Sequence, residues 1–198
     1  MQSNSSLWEL AKDRTRLPRL ITGGKSAGRH GMVKQIMLIN AALYGLYVVG
    51  NGPQNLIYRK YFTLEGSSSI TSLPLCHFSH TSFWSFLINS GALYTLGNMH
   101  ARKFGCGHFV GVIGCSAAAA TVLGMMHVYN NNEQTIAGGM GITAGLVTYN
   151  AFANPSWFKW MRLHPYTWLT GLALYGAYGN DKAAIGGIAG GYLAFLLL

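Results

Sequence analysis

Six apolar stretches separated by short polar or charged connections dominate the pattern of this chain. Each comes near the roughly 20 residues that an α-helix needs to cross the hydrocarbon core of a bilayer. The stretches cover residues 33–50, 74–97, 107–129, 136–153, 165–179 and 183–198. The first and fifth are the weakest, because they are short and carry Asn40 and Thr170. The pattern predicts an all-α, polytopic membrane protein built as a bundle of six transmembrane helices.

A basic tail precedes the first stretch, and we predict two units: the tail, residues 1–32, and a membrane domain, residues 33–198. Within the tail, Ser6 and Glu9 have the spacing of a capping box, and apolar residues then recur at helical spacing. This pattern predicts a short interfacial amphipathic helix anchored by Trp8. A basic, serine-containing tail is also compatible with a mitochondrial targeting sequence.

Charge is scarce but unevenly placed: a tenth of the residues are charged, half are hydrophobic, and the formal net charge is +9. If all six stretches cross the membrane, eleven lysines and arginines fall on one side and three on the other. The larger set is Lys12, Arg14, Arg16, Arg19, Lys25, Arg29, Lys34, Arg102, Lys103, Lys159 and Arg162; the smaller set is Arg59, Lys60 and Lys182. The positive-inside rule then places both termini on the cytosolic face, or on the matrix face of a mitochondrial inner membrane. A nucleic-acid partner is disfavoured, because these cations flank apolar segments instead of lining one groove.

The chain has 26 glycines, and in a membrane protein these residues affect how closely the helices pack. In a bilayer, small residues let helices approach closely and pack by van der Waals contact. The last segment carries two overlapping G-x-x-x-G pairs, Gly186 with Gly190 and Gly187 with Gly191, and the fourth stretch carries Gly141 with Gly145. They predict a tight bundle, and leave open whether the contacts are internal or made with a partner.

The cysteines and histidines offer one candidate ligand set. Cys76, Cys106 and Cys115 have no paired spacing, so neither a disulfide framework nor a zinc site is predicted. His77 and His80 would share one helix face, and His127 would lie at the same membrane side. Histidines from two helices could ligate a haem. The alternative is that these side chains are packing and interface residues, and we predict no cofactor; a bound lipid is compatible with the bundle.

Three short motifs follow one another on the second, fourth and sixth stretches. Residues 78–89 read F-S-H-T-S-F-W-S-F-L-I-N, residues 138–141 read G-G-M-G, and residues 183–187 read A-A-I-G-G. In this order and spacing they resemble the rhomboid intramembrane proteases. His80 and Asn89 match the first and last residues of the family's H-x-x-x-x-H-x-x-x-N motif, and Ser85 replaces the middle histidine. The F-S-H triplet looks most like the mitochondrial inner-membrane branch.

The resemblance implies the rhomboid fold without its chemistry. Gly138 and Gly141 match the glycines of the family's G-x-S-G, but Met140 stands where the nucleophilic serine would be. Ala184 stands where the family's sixth helix carries the catalytic histidine. A thioether has no proton to lose and a methyl group cannot accept one, so the resemblance implies an inactive pseudoprotease. The 51–73 connection also departs from the family, since it lacks a tryptophan–arginine pair.

Two alternatives keep other functions open. Gly114-Cys115-Ser116 is a G-x-S sequence on the third apolar stretch, and a residual intramembrane serine peptidase could pair a serine with His80 or His127. We instead expect the Ser116 hydroxyl to bond a carbonyl of its own helix. The second alternative is a client-binding factor of the endoplasmic reticulum similar to the derlins.

The resemblance also suggests the kind of partner. Inactive relatives of the family bind membrane segments of other proteins, here through the second, fifth and sixth stretches. The expected role is that of a structural subunit of a larger mitochondrial inner-membrane assembly, such as a respiratory complex, an ATP synthase or an import translocase. Trp157, Trp160 and Trp168 lie in an aromatic-rich connection predicted to sit at headgroup depth, in contact with membrane lipids.

Overall fold

The computed structural model describes residues 31–65, 69–130, 136–161, 164–178 and 182–198. Within these ranges the chain is all-α, and its one β-bridge joins Leu64 to Ile136. The helices are α1 (Gly31–Val49), α2 (Leu56–Phe62), α3 (Phe83–Ala92), α4 (Asn98–Phe104), α5 (Cys106–Asn130), α6 (Met140–Ala153), α7 (Pro165–Tyr178) and α8 (Lys182–Leu197). The tail with Ser6, Trp8 and Glu9 lies outside the described residues.

Helices occur on all six predicted apolar stretches, but the second stretch is not one helix. It begins with a single α-turn, Ser72–Leu75, and a 3-10 turn, Cys76–Phe78. The backbone is then extended at Ser79 and Ser82 before α3 begins at Phe83. A π-helical segment, Leu93–Gly97, joins α3 to α4. The break exists because side-chain hydroxyls here bond the backbone and compete with helix continuation.

The ends of several helices follow from local residues. Ser82 caps α3 by accepting a hydrogen bond from the Ser85 amide at 3.1 Å. α4 ends at Gly105, whose φ of +95° is a conformation that favours glycine. α6 ends at Asn154, directly before Pro155, which restricts the residue ahead of it to non-helical backbone.

Helix α6 is the centre of the bundle, and every residue from Gly141 to Ala151 is buried. α8 packs along both α5 and α6, while α5 also contacts α6 directly. α7 lies at the edge and packs on α6 and α8. Phe109, Val112 and Leu146 are among the fully buried side chains of the resulting core.

Two helices, α1 and α5, are long and apolar enough to cross a membrane. The other apolar helices are shorter: α6 and α7 have 14 residues and α8 has 16. At 1.5 Å per residue, α6 is about 21 Å long, less than the roughly 30 Å of a hydrocarbon core. Length and composition therefore identify two candidate spans in the described part of the chain, and a six-span bundle remains a prediction.

Candidate functional site

The break before α3 positions His80 in the interior. The Ser79 hydroxyl donates to the carbonyls of Phe62 and Cys76, at 2.5 and 2.8 Å. The Tyr58 hydroxyl accepts from the His80 amide at 3.0 Å and lies 3.1 Å from the His80 carbonyl. Burial raises the pKa of the Tyr58 phenol, which therefore keeps its proton for donation. His80 is fully buried as a result.

A short polar chain leads from His80 to the start of α6. Nδ1 of His80 lies 3.4 Å from the Ser85 hydroxyl. The Asn89 amide donates to the Ser85 carbonyl at 2.9 Å, and the Thr143 hydroxyl donates to Asn89 Oδ1 at 2.8 Å. Nε2 of His80 is buried without a hydrogen-bond partner. Sequence reasoning missed Thr143 and Tyr58, because neither belongs to a motif.

The glycines before Met140 bring the backbone against this chain. Gly138 has a φ of +127°, and its amide donates to the Cys76 carbonyl at 2.9 Å. A Cβ at Gly138 would lie 3.5 Å from the Ser85 hydroxyl, and one at Gly139 would lie 3.6 Å from Cε1 of His80. Only the positive φ of Gly138 excludes other residues outright.

The start of α8 packs against the first turn of α6, next to the polar chain. A Cβ at Gly141 would lie 3.0 Å from the Ala183 carbonyl oxygen, so the beginning of α8 packs on the first turn of α6. Ala184 is fully buried, and Met140 at the N-terminus of α6 is partly buried. The three motif segments found in the sequence are thus neighbours in the fold.

The chemistry available to this site is limited. Neither the Met140 thioether nor the Ala184 methyl group can act as an acyl-transfer nucleophile or a proton acceptor. The nearest substitute is Ser85 beside His80, at a distance of 3.4 Å. That separation exceeds the roughly 2.6–3.2 Å expected for an activated serine–histidine pair. Ser116 is engaged as expected: its hydroxyl donates to the Val112 carbonyl of its own helix at 2.7 Å.

A small cavity of about 10 Å³ adjoins the site, enough room for one water at most. It lies between α1 and the start of α6. Its polar lining residues are Asn40, His77, Asn89 and Thr143. Asn40 is buried, and its amide nitrogen can be oriented to donate to the Phe78 carbonyl at 3.3 Å. The asparagine that weakens the first stretch as a span therefore faces protein.

The histidines considered as haem ligands do not have the arrangement that the sequence suggested. His77 and His80 were expected on one helix face, and this is wrong: His77 lies in a 3-10 turn and His80 in the extended segment after it. Nε2 of His77 is also 2.7 Å from the Thr121 hydroxyl on α5. Across the described ranges, no cluster of three histidine, cysteine or acidic residues could hold a metal ion.

The paired glycines of α8 face two different helices. A Cβ at Gly186 would lie 2.6 Å from the Ala119 carbonyl oxygen, and one at Gly190 would lie 2.5 Å from that of Cys115, both on α5. The other pair, Gly187 and Gly191, lies against the backbone of α6. The residues that they meet there are Gly141 and Gly145. These contacts are internal to the chain.

The aromatic connection is partly described. Trp157 is half-buried in a 3-10 helix, Pro155–Met161, while Trp168 on α7 is 37% exposed. The side chain of Trp160 lies outside the described residues, as does Trp8.

Neither a protein-family model nor a curated protein matches this sequence. The likeness to rhomboids therefore rests on the three motifs and stays a prediction.

Proposed function

We propose that this protein is a non-catalytic, rhomboid-like membrane subunit that binds transmembrane helices within a larger mitochondrial inner-membrane complex. One observation carries the proposal. The three segments that resemble rhomboid motifs meet at one place in the fold, and that place holds Met140 and Ala184 instead of a serine and a histidine.

The surface supports a membrane location. Large apolar side chains are exposed along α1, α3, α5, α7 and α8; examples are Leu38, Trp84, Val122, Leu174 and Leu197. So many exposed large apolar side chains are unusual for a soluble protein and are compatible with contact with lipid.

The irregular backbone supports the same location. Non-helical backbone is tolerated at membrane depth only where protein or water covers it. Within the irregular segments at the site, Ser79, His80, Gly138 and Gly139 are buried, whereas Thr81 and Ser82, directly before α3, are exposed. α6 is shorter than the hydrocarbon core is thick. A bilayer can accommodate this helix for the same reason, because protein encloses it from Gly141 to Ala151.

The loss of chemistry supports a binding role. Losing either member of a serine–histidine dyad removes nearly all of the catalysis that the dyad provides. The polar chain from His80 to Thr143 instead ties the segment before α3 to the first turn of α6, although Nε2 of His80 has no partner in it. In this account the former catalytic residues have become packing residues.

The edge helix α7 offers the surface for a partner. It packs on the bundle through a narrow stripe consisting of Pro165, Leu169, Leu172 and Gly176. Gly171 has open space where a side chain would be, and Leu174 is 51% exposed. A transmembrane helix of another subunit could pack closely there, since small residues favour such contacts.

Mild-detergent purification from the native membrane, followed by a native gel and mass spectrometry, tests the proposal. We expect the chain to migrate with a stoichiometric set of inner-membrane subunits. Gly171→Leu should weaken that association, and Gly114→Leu on α5, another glycine with open space around it, should not. Migration alone would refute the proposal, and a changing population of substrates would favour the derlin-like alternative.

A further inference from the structure

A second buried polar cluster lies at the other end of α6 from Met140. It joins His100 on α4, His108 on α5, and Tyr149 and Asn150 on α6. Nε2 of His100 is 2.9 Å from Nδ1 of His108, and Nε2 of His108 is 2.9 Å from the Tyr149 hydroxyl. The cluster ties the α4–α5 turn to the central helix.

The partners determine where the hydrogens lie. The Asn150 amide nitrogen donates to the Leu146 carbonyl at 2.7 Å, which leaves Oδ1 as an acceptor beside His100. Both this Oδ1 and Nδ1 of His100 are buried without a hydrogen bond of ordinary geometry. The consistent arrangement has a hydrogen on Nδ1 of each histidine, and the Tyr149 hydroxyl donates to His108. Each imidazole is then neutral, both nitrogens of His108 are hydrogen-bonded, and the N–H at Nδ1 of His100 lies beside Oδ1 of Asn150.

The surroundings of the pair do not stabilise a positive charge. His100 is fully buried, and the Phe104 ring packs on both imidazoles at centroid distances of 4.9 and 5.2 Å. The charged group that acts on His100 is Lys103, which has the same sign as an imidazolium. Tyr149 is the other titratable group in contact.

The remaining helices present apolar groups to this region. Val33 on α1 lies beside the Phe109 ring that adjoins His100. Phe195 on α8 packs on Tyr149 at 6.0 Å. Glu65, the one acidic residue in the described part of the chain, pairs with Arg59 in the 51–73 connection. In the described part of the chain, the pair is therefore surrounded by apolar groups and by one cation, with its acidic residue, Glu65, paired elsewhere.

We propose that His100, His108, Tyr149 and Asn150 form a proton-binding clamp that holds the α4–α5 turn on α6 at neutral pH and releases it in acid. When the turn opens, both imidazoles reach water and can take up protons. A single residue, Gly105, with a φ of +95°, separates the two helices at this turn. The clamp would make this connection respond to the pH of the compartment that it faces.

Hydrogen exchange of the full chain in lipid nanodiscs, measured between pH 5 and 7.5 and corrected for intrinsic exchange rates, tests the clamp. Below about pH 6.5, each histidine that is protonated only in the open state increases the opening constant about tenfold per pH unit. With two such histidines, opening of residues 98–108 should increase by up to about 100-fold per pH unit. The core of α6 should stay protected over the same range.

Two variants separate proton uptake from packing. His108→Asn removes one proton-binding group, so the pH dependence should fall to about tenfold per pH unit. Tyr149→Phe keeps both histidines, so it should raise opening at every pH with an unchanged slope. A slope below tenfold per unit in the wild-type chain, or the same slope in His108→Asn, would overturn the proposal. If His108→Asn does not fold, the wild-type slope decides alone.

Discussion

A close backbone contact between α8 and α6 gives the sharpest test of how these helices pack. At Gly187 on α8, a Cβ would collide with the carbonyl oxygen of Gly141 on α6 and would lie 2.6 Å from the carbonyl carbon of that residue. That is about 0.8 Å closer than the 3.4 Å at which ordinary van der Waals contact begins. The obstacle is backbone and cannot rotate away, so Gly187→Ala must push α8 from α6.

The expected free-energy change has two opposing parts. Replacing glycine by alanine inside a helix contributes about 1 kcal/mol of stability through backbone entropy. Forcing extra volume into a packed interface typically costs about 1–3 kcal/mol, and a clash with backbone belongs at the upper end. We therefore expect Gly187→Ala to lower the free energy of unfolding by about 1–2 kcal/mol.

The matched control is Gly171→Ala on α7, where nothing lies within 4 Å of the added Cβ. The same chemical change should there leave stability unchanged or raise it slightly. Reversible unfolding in mixed micelles with increasing dodecyl sulfate measures both variants. Equal stability of the two variants would refute the packing described for α8 and α6.

Three further predictions concern the site. Thr143→Val should destabilise the chain by about 1–3 kcal/mol, because it leaves Asn89 Oδ1 buried without a donor; Thr170→Val, at an exposed hydroxyl, should not. Tyr58→Phe removes the hydroxyl that holds the His80 backbone, so limited proteolysis should cleave the 51–73 connection faster; an unchanged rate would contradict that role. A fluorophosphonate probe that labels activated serines should leave the wild-type chain unmodified, and labelling mapped to a serine beside His80 would instead support a residual peptidase.

Much of the helical layout could be predicted from the sequence, because length and apolar character are local properties. Helices occur on each of the six predicted stretches. The break at Ser79 could not be predicted in the same way, since the Phe62 carbonyl and the Tyr58 hydroxyl that stabilise it come from a distant segment. The expectation that His77 and His80 share a helix face failed for this reason.

The motif positions were predictable, but their surroundings were not. The resemblance to the rhomboid motifs pointed to His80, Asn89 and Gly138. Thr143 completes the polar chain through a contact with Asn89 across 54 positions, which no local pattern signals. The pairing of His100 with His108 was missed too, because it depends on how the turn at Gly105 folds one helix back on the next.

The central claim is that six helices cross the membrane, and single-cysteine accessibility tests it most directly. In a background without native cysteines, Lys60→Cys, Arg102→Cys and Lys182→Cys would be labelled from each side of sealed native vesicles with a membrane-impermeant maleimide. Six crossings predict that positions 60 and 182 are labelled from one side and position 102 from the other. Two crossings, by α1 and α5 alone, would put positions 60 and 102 on the same side and position 182 opposite, and that result would contradict the account.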